Sequence, residues 1–240
     1  MRPPIGRYLR ERRTAAGLTV AELATKAGGV SPTLVADFEE GARLPAPDTL
    51  HALFDALCVP FAYRDHIVAL TRQSLFITAL GDGPQVPQST DLAFLDNLPF
   101  PAWYQSVPSF DLVAANYAYR RTFRGLEPGG NILQWTMLDP RAKDILGQWD
   151  REAHLMVNAF RIMSPGLVPA ERWEDIVRAC RKAPEWERMW NTEIPPAEVD
   201  RPPALILDPL RKGFRTMSMS VLTFEFPYRP WWMYTLQPTK

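Results

Sequence analysis

Over the first eighty positions, apolar residues recur in short runs at helical spacing, and a glycine or a proline closes each run. Ile5, Leu9 and then Arg12 or Arg13 trace one face of a helix that Gly17 ends. Thr19, with Glu22 three residues later, forms a capping box. Leu23, Ala24 and Ala27 then give the apolar face of a short second helix stopped by Gly28-Gly29. Ser31 before Pro32 is an N-cap with proline at the first helical position, and Leu34, Val35 and Phe38 carry a third helix to Gly41. The bracket from Pro45 to Pro47, with Asp48, starts a fourth helix bearing Leu50, Leu53, Phe54 and Leu57. A fifth, after Pro60, carries Ile67, Val68 and Leu70.

The periodicity lapses over residues 81–90, which hold two glycines, two prolines and no apolar period; this segment is expected to pack as neither helix nor strand and to act as a linker. From residue 91 strands and helices mix. Ala102–Val107 and Phe110–Ala115 read as strands around a Pro108-Ser109 turn, and Asn116 is placed to cap a helical stretch from Tyr117 to Phe123. Residues 139–163 read as one helix or a broken pair, followed by helices over about 171–182 and 184–191 and strands at 204–207, 214–226 and 231–236. Phe214, Thr216, Ser218, Ser220, Leu222 and Phe224 alternate with Met217, Met219 and Val221, which suits an antiparallel sheet covered by helices. The expectation is an all-α five-helix bundle over 1–80, a linker over 81–90 and an α+β domain over 91–240.

A chain of 240 residues allows one large domain or two small ones, and all eight tryptophans fall beyond residue 100, which favours two. With 27 basic and 27 acidic residues there is no global field to attract nucleic acid, so any DNA contact must come from a local face. No apolar run approaches the ~18–20 residues of a membrane span and the first residues lack a signal-peptide core; the expectation is a soluble, cytoplasmic protein with no membrane partner. Cys58 and Cys180 have no CxxC or CxxH context and read as buried, reduced thiols. His51, His66 and His154 are isolated, and no GxSxG, GxGxxG or Walker loop occurs. No catalytic residue, metal or cofactor is therefore expected.

Two short helices around a glycine turn, the second opened by a serine cap, satisfy the geometry of a helix-turn-helix. The wording Leu9-Arg10-x-Arg12-Arg13, Gly17-Leu18-Thr19, Glu22-Leu23-Ala24, Ala27-Gly28, Ser31 and Glu39-x-Gly41-x-Arg43-x-Pro45 resembles the lambda-repressor-type (Xre-like) DNA-binding family over about residues 5–72. The resemblance implies a lambda-repressor-like bundle whose third helix, about 32–40, enters the major groove of a double-stranded DNA operator. Pro32, Thr33, Ala36 and Asp37 would face outward, with Thr19 and Arg43 near phosphates. Arg10, Arg12 and Arg13, with Arg7 and Lys26, make the only basic face and are the expected phosphate contacts. Residues 31–80 instead set Asp37, Glu39, Glu40, Asp48, Asp55 and Asp65 against Arg43, Arg64 and Arg72. The chain departs from the family at Val20, where glutamine is common, at Asp37, where a basic residue is common, and in a Gly28-Gly29 turn one residue longer. Because one short reading helix contacts few base pairs, a homodimer is expected.

The second half is similar to the MmyB-like ligand-binding domain, a PAS-like fold. The residues carrying the likeness are Leu112-Val113-Ala114-Ala115-Asn116, Asn131-Ile132-Leu133 with Asp139-Pro140, Trp149-x-x-x-Ala153, Pro184-Glu185-Trp186 with Met189-Trp190, and Met233-Tyr234-Thr235. Asp208-Pro209 stands where that family more often has His-Pro. The resemblance implies a pocket between sheet and helices for an apolar, fatty-acid-like small molecule. Trp103, Phe123, Trp149, Phe160 and Met219, each on an apolar face, are candidate lining residues, with Asn116 and Met217 beside them; ordinary core packing is the alternative for the aromatics and methionines, and a purely structural helix cap for Asn116. The whole reads as a ligand-responsive DNA-binding regulator. Its rival is a pathway protein, or a motif-free enzyme such as a cyclase, that handles a hydrophobic metabolite and keeps the bundle only as scaffold.

Overall fold

The computed structural model describes residues 4–80, 84, 86–199, 203–211, 213–224 and 228–239, with side chains omitted at 71–80 and 196–197. The chain divides into two compact units, one of Met1–Gly81 with Ala159–Ala170 and Pro195–Val199, the other of Asp82–Asn158 with Glu171–Ile194 and Asp200–Lys240.

The first unit opens with α1 (Pro4–Ala15), α2 (Val20–Lys26), α3 (Pro32–Glu40), α4 (Pro47–Ala56) and α5 (Phe61–Leu80). Each boundary follows local chemistry. Thr19 and Glu22 close the capping box of α2, and Ser31 accepts from Leu34 N–H ahead of the Pro32 that opens α3. Gly41, at φ 77°, ends α3 in the left-handed conformation that glycine takes without steric cost. α1 packs on α3 and α5, and α2 on α3 and α4, around Tyr8, Leu9, Leu23, Val35, Leu53, Phe54 and Ile67, all buried. Gly6 lets α1 approach α3 closely, since a Cβ there would stand 2.3 Å from the Phe38 carbonyl oxygen. One expectation is corrected: Cys58 is exposed, at φ 52° just after α4, because a chain-reversing turn leaves its side chain at the surface; Cys180 is buried as expected.

The remaining elements are α6 (Ser89–Asp96), β1 (Ala102–Ser106), β2 (Asp111–Ala115), α7 (Tyr117–Thr122), α8 (Ile132–Leu138), α9 (Pro140–Ile145), α10 (Trp149–Met163), α11 (Ala170–Cys180), α12 (Trp186–Asn191), α13 (Pro196–Val199), β3 (Ala204–Asp208), β4 (Gly213–Leu222) and β5 (Trp232–Pro238). The strands form one antiparallel sheet ordered β2-β1-β5-β4-β3. Register gives the sheet two faces. Trp103 pairs with Tyr234, and Val221, Met219 and Met217 pair with Tyr234, Leu236 and Pro238, so these side chains share one face. Ala102, Tyr104, Ala114 and Met233 lie on the other, closed by Leu95 of α6 and by Trp231.

Several sequence expectations shift. Residues 81–83 and 85 of the expected linker lie outside the described residues, but its last two residues, Ser89 and Thr90, open α6. There Gln88 and Asp91 supply a capping box that composition alone hides. The 139–163 stretch is the broken pair, with Leu146 to Gln148 between α9 and α10. α8 was not expected, because Ile132, Leu133, Trp135, Thr136 and Met137 are all buried, and a helix covered on most sides shows no amphipathic period. β4 stops at Leu222; residues 225 and 226 of the expected 214–226 strand lie outside the described residues.

Among the described residues no helix is long and apolar enough to cross a membrane, and no group of His, Cys, Asp or Glu could hold a metal ion.

Candidate functional site

The outer face of α3 is built from Pro32, Thr33, Ala36, Asp37 and Glu40, while Val35, Phe38 and Glu39 turn inward. Pro32 and Thr33 are exposed; Ala36 and Asp37 are half-buried. The cations expected beside this face are distributed unevenly. Arg13 donates to Glu39 through Nε at 2.6 Å and Nη2 at 2.8 Å, and its Nη1 donates to the Leu18 carbonyl at 2.8 Å. Arg10 approaches the same carboxylate at 3.6 Å. Arg12 donates to the Leu57 carbonyl at 3.2 Å. Arg10 and Arg13 thus serve the bundle through the Glu39 carboxylate, 2% exposed as a residue, and Arg12 through the Leu57 carbonyl, while Arg7 of the same helix stays exposed. Arg43 lies at the far end of α3 beside Asp37, with Nε 3.6 Å from Oδ2. Thr19 spends its hydroxyl and backbone N–H on Glu22. Glu39 carries no mark in the hydrophobic pattern; its inward position shows only once α1 and α3 meet.

In the second unit, an open cleft of about 270 Å³ lies between α7 and the β3–β4 side of the sheet. Pro99, Phe100 and Pro101 form one wall, Tyr117, Ala118, Arg121 and Thr122 the α7 wall, and Ile206 to Leu210, Arg215, Met217 and Pro238 the floor and rim. The charged groups in this lining are Arg121, Arg215 and Asp208. Asp208 stays close to Arg215, at 3.7 Å, and accepts from Leu210 N–H at 2.9 Å. The segment Asp208-Pro209, singled out in the sequence as a departure, is part of the cleft lining.

Of the expected lining residues, Met217 reaches the cleft. Trp103 and Phe123 instead belong to a closed aromatic cluster: Trp103 stacks on Tyr234 at 5.4 Å between centroids, Tyr119 lies 4.9 Å away, and Phe123 meets Trp135 edge-on at 6.0 Å. Burial pushes the Tyr119 hydroxyl pKa up, as a closed apolar setting requires. Trp149 donates its indole N–H to the Thr136 carbonyl at 2.8 Å and packs under the Lys143 ammonium, 4.2 Å from its ring centroid. Met219 is half-buried on the Trp103 face of β4. Phe160 is fully buried but lies in Ala159–Ala170, which groups with the first unit.

Asn116 is more than a cap. Its Oδ1 accepts from Tyr119 N–H at 2.9 Å and Ala102 N–H at 3.1 Å, and its Nδ2 donates to the carbonyls of Leu95, Leu98 and Phe100. One buried amide thereby fixes both α7 and the 98–101 wall of the cleft.

The family model described as MmyB-like transcription regulator ligand binding domain matches residues 88–239, and that of a helix-turn-helix domain matches residues 4–67. The chain belongs to the MmyB-like transcription regulators. Among curated proteins, none matches it. Membership gives the two units their roles: an Xre-type helix-turn-helix for the first and a ligand-binding domain for the second, together a ligand-responsive DNA-binding regulator.

The MmyB-like domain also carries an acid-sensitive tie. Burial pushes the Asp111 carboxyl up, but hydrogen bonds from Arg172, Asn131 and Ser109 outweigh this and hold it below its usual value. A depressed carboxylate pKa contributes stability that is full above the unfolded value of about 3.9 and lost as pH falls through the folded value. Asp111→Asn should therefore flatten the acid limb of the unit's stability curve below about pH 4. Thermal melts between pH 3 and 7 check this, and parallel curves for the two proteins would count against it.

Proposed function

We propose that this regulator binds a double-stranded DNA operator as a homodimer through the outer face of α3, and takes an apolar, fatty-acid-like molecule in the cleft under α7. The observation that carries the reading is the pairing in one chain of a capped, outward-facing α3 with an apolar cleft rimmed by Arg121 and Arg215. Apolar walls favour a hydrocarbon body, and the two arginines against the single carboxylate of Asp208 favour an anionic or strongly polar head. The cleft's volume of about 270 Å³ sits just under the ~300–1,000 Å³ of small-molecule sites, so a long chain must extend through the open side. Ligand binding regulates by differential affinity: a molecule that prefers one conformational state shifts the population of DNA-competent protein.

Few cations of the first unit remain to meet phosphates. Arg12 and Arg13 are engaged within the bundle, Arg10 partly so, and Arg43 faces Asp37; among the described side chains this leaves the exposed Arg7 and Lys26 and the outer side of Arg10. Because log K falls with log salt by about 0.9 per neutralised phosphate, DNA affinity should be weak with a shallow slope. Mobility shift of promoter and library-selected duplexes over a salt series tests this, and no binding above background at low salt would sink the DNA half of the reading. Sedimentation of the free and DNA-bound protein tests the dimer; a monomer in both states would contradict it.

For the ligand half, a molecule that binds only the native state raises the melting temperature as its concentration rises. Fatty acids of graded length should do so, and Ala118→Trp, which fills the cleft from α7, should abolish the shift while leaving the circular dichroism spectrum unchanged. A shift that survives in Ala118→Trp would place the ligand elsewhere.

A further inference from the structure

Asp37 is the residue that sets α3 apart from a phosphate-seeking helix, and the structure gives its carboxylate a specific neighbour. Gly41 ends α3 in a left-handed turn, and the amides of Ala42 and Arg43 then fold back onto the Asp37 carbonyl at 2.9 and 3.3 Å. That reversal brings the Arg43 guanidinium to 3.6 Å from Asp37 Oδ2. Thr33, Ala36, Asp37 and Glu40 follow one another at helical spacing along the outer face, so Asp37 stands at its middle.

We infer that Asp37 and Arg43 act as one specificity unit, in which Arg43 orients and neutralises the carboxylate and Asp37 accepts a hydrogen bond from the amino group of a cytosine in the major groove. The inference rests on the DNA-binding reading above. Three physical points carry it. A lone carboxylate in the groove is repelled by phosphates, whereas an ion pair is neutral overall and can enter. With Oδ2 turned to Arg43, Oδ1 remains for the base edge. Among major-groove edges, guanine offers acceptors at N7 and O6, thymine an acceptor at O4, and adenine an acceptor beside its amino group; cytosine alone offers an amino donor without an adjacent acceptor, so a carboxylate selects it.

The two residues then differ in what they lose. Asp37→Asn brings a donor as well as an acceptor and removes the charge, so it should relax the cytosine preference at one position by roughly tenfold while overall affinity holds or rises. Arg43→Gln leaves the carboxylate unneutralised, so it should weaken binding to every sequence by a similar factor while any remaining preference still points to cytosine. Both residues are on the surface, and a circular dichroism melt confirms that the variants fold.

The test is selection from a randomised duplex library with the full chain and each variant, followed by sequencing of the enriched pools. A wild-type motif with a cytosine that Asp37→Asn alone relaxes supports the assignment. A wild-type motif that Asp37→Asn leaves unchanged at every position overturns it and spares the DNA-binding reading, the pair then being only a surface brace for the turn after α3. Failure of the wild-type chain to enrich any sequence overturns both.

Discussion

Arg13→Ala is expected to cost the first unit about 3–5 kcal/mol, the usual penalty for removing one partner of a buried ion pair. The Glu39 side chain is 3% exposed and takes both of its short contacts from Arg13, at 2.6 and 2.8 Å; Arg10, at 3.6 Å, cannot replace them without moving. Denaturant midpoints with unchanged slope measure the loss. The companion Arg13→Met with Glu39→Leu should recover most of it, because a buried pair is often no more stabilising than apolar groups of similar volume. If Arg13→Ala alone loses less than about 1 kcal/mol, the behaviour of an exposed pair, the carboxylate is wetter than its position implies. The double variant also separates two roles for this side chain: if it folds yet binds DNA as the wild type does, Arg13 is a brace and not a phosphate contact.

Asn116→Asp should disrupt the second unit by at least about 3 kcal/mol at neutral pH, with a pH dependence opposite to that of Asp111. The new oxygen replaces an amide that donates to the carbonyls of Leu95, Leu98 and Phe100, in a residue that is 1% exposed. A charge facing three carbonyl oxygens is avoided by protonation, so the folded pKa rises above the unfolded value of about 3.9. The charge-related cost is then absent below the unfolded value and grows as pH rises, so the gap in melting temperature from wild type should widen from acid to neutral pH. A constant gap would mean that lost hydrogen bonds, and not charge burial, account for the damage. Because Asn116 also fixes the 98–101 wall, the variant should lose ligand-induced stabilisation even at acid pH, where it remains folded.

A neighbouring tie shows how much of this unit depends on distant partners. Arg229 donates through Nε to Asp91 at 3.0 and 3.1 Å, and the Tyr104 hydroxyl donates to the Asp91 carbonyl at 2.7 Å. Burial first, and then the Asp91 charge, push the Tyr104 hydroxyl up to about 12. The start of α6 is therefore held by Tyr104 of β1, 13 positions on, and by Arg229 in the segment between β4 and β5, 138 positions away.

Local chemistry was legible wherever it acts within a few residues. Thr19 with Glu22, Ser31 with Pro32, and Gly41 each write a helix end directly into the sequence, since a cap needs only a side chain and an amide two or three positions on. The same holds for β1 and β2, whose short runs flank a proline turn, and for Asn116 as the cap of α7. Motif wording and order sufficed for the family, and with it the pairing of a helix-turn-helix with a ligand-binding domain.

Tertiary structure decided which polar groups work inside and where the cleft lies. Arg13 and Glu39 are 26 positions apart, and nothing in either neighbourhood marks them as partners until Gly6 lets α1 close on α3. The aromatics of the second unit were visible as a group, but only sheet register shows that Trp103 and Tyr234 stack against each other and fill their own space, leaving the open volume beside Met217. The sequence determined the elements and the family because caps, periods and motifs are short-range. The positions of charge and cavity depended on packing between segments far apart in the chain, and no short window of residues encodes that distance.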